Sequence, residues 1–133
     1  MHEQTGQWGE DELVLTEHVS VLRGEANGAY PSGNSVVVKG ASEALIIDPS
    51  VTVVSKGGAT VPIDLVLNSH GHEDHMPGNG LFTDARLGIH DDDLHAAHSL
   101  DGLLDIYGLE GTVRSDFATT ILTEFNYAAR PDA

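Results

Sequence analysis

Aliphatic residues in this chain run no longer than three, as in VVV at 36–38, LII at 45–47 and LVL at 65–67, and Gly, Pro, Asn or Ser follows each run closely. Runs this short and this rich in β-branched residues fit brief strands of a small sheet and leave no room for a long apolar helix. The segment 13–23, with Val19, Val21 and Leu22, reads as a strand or strand pair. GEANGAYPSGN (24–34) is a connection that demands tight turns or positive φ angles. SVVVKG and ALIID, separated by ASE, form a hairpin. SKGGAT (55–60) is a loop, and VPIDLVLN (61–68) is a strand buried on both faces near its end, since Leu65, Val66 and Leu67 do not alternate.

Further on, ARLGIH is another short strand. DDDLHAAHSLDGLLDIYG reads as one helix, with Asp91 or Asp92 as N-cap, Leu94, Ala97, Leu104 and Tyr107 on one face, and Gly108 as its stop. Within it, Gly102 costs about 1 kcal/mol relative to alanine. A last helix starts near Ser115, carries Phe117, Ile121 and Phe125, and gives way to ARPDA at a proline that cannot continue it. The order is α/β, with sequential strands as neighbours.

The chain's 133 residues make one domain. A formal charge of −15 repels phosphate backbones and anionic membranes, which disfavours nucleic acid as a partner. There is no cysteine, so thiolate sites are excluded and any metal must sit on nitrogen and oxygen. The acidic N-terminal segment MHEQTGQWGEDEL lacks an apolar core, pointing to a cytoplasmic protein with neither membrane span nor targeting segment.

LNSHGHEDHMPGN (67–79) follows the strand at 65–67 directly and sets His70, His72 and His75 beside Glu73 and Asp74. On a helix these histidines would scatter, and Gly71 and Pro77 oppose one. Extended backbone sends His70 and His72 to the same side, with Cα atoms roughly 7 Å apart, within reach of one ion. A bend at Asp74 would let Asp74 and His75 face a second position, an N,O site suited to zinc, iron or manganese. His90, His95 and His98 read as surface residues, and the DDD run at Asp91 as helix capping on a solvated face.

His70, His72, Asp74 and His75 match the H-x-H-x-D-H pattern of the metallo-β-lactamase-fold hydrolases, which the chain resembles from about Val19 to Leu94, with Ser69, Gly78, Asn79 and the LIID strand ending in agreement. The resemblance implies an αββα sandwich of which this chain supplies the N-terminal αβ half. It also implies two Zn²⁺ ions, the first on His70 and His72 and the second on Asp74 and His75, with Asp48 orienting the site from behind. A bridging hydroxide held partly by Asp74, the catalytic residue, would then attack an ester, thioester or amide carbonyl of a small-molecule substrate, as in glyoxalase II-like enzymes. Fe or Mn would be alternative metals, and a mononuclear-iron persulfide dioxygenase or a non-catalytic metal-binding module alternative functions. Family members take a further His, a bridging Asp and a last His from their second half. The expectation is therefore a chain truncated at its C-terminus, inactive alone unless the missing half or a second copy completes it.

Overall fold

The computed structural model describes residues 8–133; the amino-terminal residues on which part of the localisation reading rests lie outside them. Six strands form one sheet in sequence order: β1 (Glu12–Val14), β2 (Val19–Leu22), β3 (Ser35–Lys39), β4 (Ala44–Ile47), β5 (Leu65–Leu67) and β6 (Arg86–Gly88). The first four are antiparallel, and β4, β5 and β6 run parallel. The strand pair at 13–23, the β3–β4 hairpin and the ARLGIH strand are as expected, and the connection at 24–34 holds positive φ at Ala26, Asn27 and Gly28.

Register explains where the core sits. Ser20, Val37, Ile46, Val66 and Leu87 align across β2 to β6 on one face and are all buried. Against that face pack Val53 of α1 (Val51–Ser55), Ala96 and Ala97 of α2 (Leu94–His98), Leu103 and Leu104 of α3 (Leu100–Tyr107) and Ile121 of α4 (Gly111–Glu124). The other face is a grid of Val19, Val21, Val36, Val38, Leu45, Ile47, Leu65 and Leu67, all half-buried. Leu65 and Leu67 thus depart from the expectation of burial on both faces. Among the described residues no layer covers that side of β5, and only Val66 turns toward the helices.

Four elements differ from the sequence expectation. Helix α1 occupies a stretch in which the β-branched residues signalled nothing helical; Ser50 starts it by accepting a hydrogen bond from the Thr52 amide at 3.2 Å. The strand expected over 61–68 shrinks to 65–67, because Pro62 has no amide to donate and the ladder starts only at Leu65. The single helix expected over 91–107 is a 3₁₀ turn at Asp91–Asp93 followed by α2 and α3, with extended Ser99 between them. Ser99 Oγ caps α3 by accepting from Gly102 N at 3.0 Å, and the His90 ring, not Asp91 or Asp92, accepts at the first turn. Gly108 ends α3 at φ 65° as expected. Helix α4 begins at Gly111, four residues before Ser115. No described helix is long and apolar enough to cross a membrane.

Candidate metal centre

The carboxyl ends of the parallel strands converge, the usual place for a site in an open α/β sheet. Strand β4 leads into Asp48, β5 into Asn68, Ser69 and His70, and β6 to the turn holding Asp93. Asp48 is buried and sits at φ 54°, a left-handed conformation that Asp tolerates better than most residues. Its Oδ1 accepts from the Ser69 amide at 2.7 Å; its Oδ2 accepts from Ser69 Oγ at 2.6 Å and from His75 Nδ1 at 3.0 Å.

These contacts set the protons on two histidines. Ser69 Oγ spends its only hydrogen on Asp48, so the 2.8 Å contact between Ser69 Oγ and His70 Nδ1 requires His70 to donate. His70 and His75 therefore both carry a proton on Nδ1 and turn a lone pair on Nε2 away from Asp48, the form in which an imidazole can ligate a metal. Burial, reinforced by the neighbouring His75 and His72, lowers the pKa of His70 and favours its neutral form. The hydrogen bond to Asp48 raises that of His75 against the opposing effect of burial, with Asp74 adding to the rise. For Asp48, burial pushes upward, but the hydrogen bonds from His75 and Ser69 together outweigh it and hold the carboxyl below its usual range.

His72 is extended (φ −101°, ψ 151°), and its ring meets that of His70 edge-on, centroids 4.6 Å apart. The chain then bends into a 3₁₀ turn at Glu73–His75, which returns the His75 ring to 4.2 Å from His70. Instead of two separate ligand pairs, the structure makes one cluster of three imidazoles, because Asp48 draws His75 toward His70. Asp74 Oδ2 lies 3.4 Å from His75 Nε2. Among the described residues no three His, Asp or Glu side chains are gathered so as to hold a metal ion as they stand. The rings pack face and edge, without three donor atoms directed at one point. The donor types still fit a zinc-like ion: two free Nε2 lone pairs, a third imidazole in contact and an adjacent carboxylate.

Other residues hold the motif in place. Asn68 and Asn79, both buried, exchange side-chain hydrogen bonds at 3.0 and 2.9 Å, and Asn68 also donates to the His75 carbonyl at 3.3 Å. Gly78 lies so close to Pro49 that a Cβ there would stand 2.5 Å from the proline's Cβ. Asp93 corrects the reading of the acidic run as solvated capping: its Oδ2 accepts from the Gly71 amide, between His70 and His72, at 3.0 Å. No local signal marks Asp93, because its partner is 22 residues away. His90 and His95 are exposed, His98 bonds the Ala133 carbonyl at 3.0 Å, and none joins the cluster.

A mixed sheet with helices on one face and a histidine–aspartate cluster at its parallel strand ends defines the class: an α/β protein built like the metallo-β-lactamase fold. Residues 30–90, which include all four motif positions, match the family model described as the metallo-beta-lactamase superfamily. A beta-lactamase domain protein from Burkholderia ambifaria is similar in structure, with a TM-score of 0.55 and 16% identity over 90% of this chain and 40% of that one. The Rm3 metallo-beta-lactamase aligns with a TM-score of 0.46 and 19% identity, over 71% of this chain and 38% of that one. The chain thus spans about two fifths of the length of these structures. No curated protein matches it.

Proposed function

We propose that this chain forms one αβ layer of a metal-dependent hydrolase acting on an ester, thioester or related carbonyl of a small molecule, with a dinuclear zinc centre in the complete enzyme. The observation that carries the reading is the hydrogen-bonded chain from His70 through Ser69 and Asp48 to His75, which leaves two Nε2 lone pairs free beside a third imidazole. His70, His72, Asp74 and His75 are the residues that would hold the metal. A divalent ion bound there supplies Lewis acidity to a carbonyl and a water of lowered pKa. Asp48 keeps the proton on His75 Nδ1, Ser69 keeps that on His70 Nδ1, and the half-buried Asp74 carboxylate would take a proton from an attacking water. The uncovered aliphatic grid supports a second layer over the sheet, from the same polypeptide or another copy.

The test is metal binding and turnover by the purified chain. Zn²⁺ or Co²⁺ should bind, His72→Ala should weaken binding, and thioester, lactone and β-lactam panels should identify the substrate class if the layer is active. Failure to bind either ion, or binding indifferent to His72→Ala, rejects the reading. Iron in place of zinc in the purified protein would favour the dioxygenase chemistry.

A further inference from the structure

The contacts of Asp48 and Ser69 orient His70 and His75 but leave out His72, whose ring takes part in no hydrogen bond among the described residues. Tyr107, the last residue of α3, stacks on that ring with centroids 5.8 Å apart and planes at 27°. Behind Tyr107, Phe117 of α4 meets it edge-on at 5.1 Å. The tyrosine hydroxyl donates to Glu73 Oε1. Glu73 is the residue between His72 and Asp74, and its side chain turns inward: it is 6% exposed. Its other oxygen accepts from Tyr30 at 2.8 Å, and Tyr30 packs at 5.8 Å on Phe125, just beyond α4. A buried carboxylate must be hydrogen-bonded, and here two tyrosine hydroxyls satisfy it.

We infer that Tyr107, anchored by Glu73, is the positioning residue for His72: Glu73 and Phe117 fix the phenol ring, and the phenol ring fixes the plane of the imidazole. Glu73 is bonded in sequence to the residue that Tyr107 stacks on, so the motif's backbone and the His72 ring are held by the same tyrosine. A phenol ring has two rotatable bonds and loses little entropy in this role. The inference rests on the reading of His72 as a metal ligand only for its consequence, since the orientation itself exists without metal.

The experiment therefore has a metal-free arm. In the apo chain, the His72 ring resonances, assigned by their loss in His72→Ala, should be displaced by the Tyr107 ring current. They should move toward unstructured positions in Tyr107→Leu and stay near the wild-type positions in Tyr107→Phe, with Tyr127→Phe as a tyrosine control outside the motif. In the second arm, Tyr107→Leu should weaken Co²⁺ binding roughly 10- to 100-fold, the range for outer partners of metal ligands, and Tyr107→Phe should recover most of it. If Tyr107→Leu fails to fold by circular dichroism, Tyr107→Met replaces it and should displace the same His72 signals, because it too removes the ring that stacks on the imidazole. Unmoved His72 signals in the folded variant overturn the inference, as does unchanged Co²⁺ affinity where the wild type binds. Displaced signals in a chain that binds no metal leave the positioning intact and reject the metal reading instead.

Discussion

Asp48 and His75 stand 27 residues apart in sequence and meet at 3.0 Å, carboxylate Oδ2 to imidazole Nδ1, with Ser69 donating to the same carboxylate twice. Asp48→Asn removes the acceptor that all three donors share and turns an amide toward at least one of them. A buried donor left unsatisfied costs about 1–3 kcal/mol, so the apo chain should lose stability of that order in urea unfolding. Co²⁺ affinity should fall roughly 10- to 100-fold as His75 loses its orientation. Wild-type stability and affinity in the Asp48→Asn chain would show that the contact is incidental.

The same pair gives a pH signature. His75 has a folded pKa above its ordinary 6.5, mainly through the Asp48 hydrogen bond, so its contribution to stability is complete below pH 6.5 and is lost as pH rises through the folded value. Asp48 has a folded pKa below its ordinary 3.8, because the bonds from His75 and Ser69 outweigh burial. Its contribution is present above pH 3.8 and is lost as pH falls through the folded value. The pair therefore stabilises the apo chain most between pH 3.8 and 6.5. Thermal melts should show their highest midpoints within that window, with a fall on either side that Asp48→Asn flattens. Metal affinity should run the other way and climb as His75 loses its proton, because the ion and the proton compete for Nε2.

Gly102→Ala tests the break between α2 and α3. From composition alone, alanine in a helix interior should stabilise by about 1 kcal/mol. In the fold a Cβ at Gly102 would lie 1.9 Å from the His95 carbonyl oxygen, a backbone atom that cannot step aside. The substitution should instead cost about 1–3 kcal/mol, read as a lowered urea midpoint. A gain in stability would mean that α2 and α3 do not cross as described.

That reversal of sign shows what the sequence could and could not reveal. The strands of the first half, the bend after His72 and the Gly108 stop were legible because each rests on local chemistry: β-branched alternation, a glycine–proline bracket and a left-handed cap. The convergence of His70 and His72 followed from extended backbone in the same way. Helix α1 was hidden because its valines and threonine favour strands and only Ser50 marks a start. Asp93 and Glu73 were hidden for a different reason. Their partners, the Gly71 amide for one and Tyr30 and Tyr107 for the other, are far off in sequence, so an acidic run and a motif spacer carried no sign of their bonds.

The carboxyl-terminal ARPDA segment, expected merely to leave the last helix, is tied to the connection between β5 and β6. Arg130 is buried, and its guanidinium donates to the carbonyls of Asn79 at 2.9 Å, Phe82 at 3.3 Å and Ala85 at 2.7 Å, while Asp132 pairs with it at 2.8 Å. Those carbonyls belong to the crossover that carries the motif from β5 to β6, so one side chain ties the chain's last residues to that crossover. Arg130→Leu withdraws the guanidinium from all three carbonyls; that of Phe82 keeps the Ala85 amide at 3.0 Å, while those of Asn79 and Ala85 lose this donor, at roughly 1–3 kcal/mol for each left unsatisfied where water cannot reach. The expected outcome is a large drop in urea midpoint, with amide hydrogen exchange accelerated over 76–85 before the strands of β2 to β4. Exchange that speeds up evenly across the sheet would show that Arg130 supports the whole fold and has no particular hold on the crossover between β5 and β6.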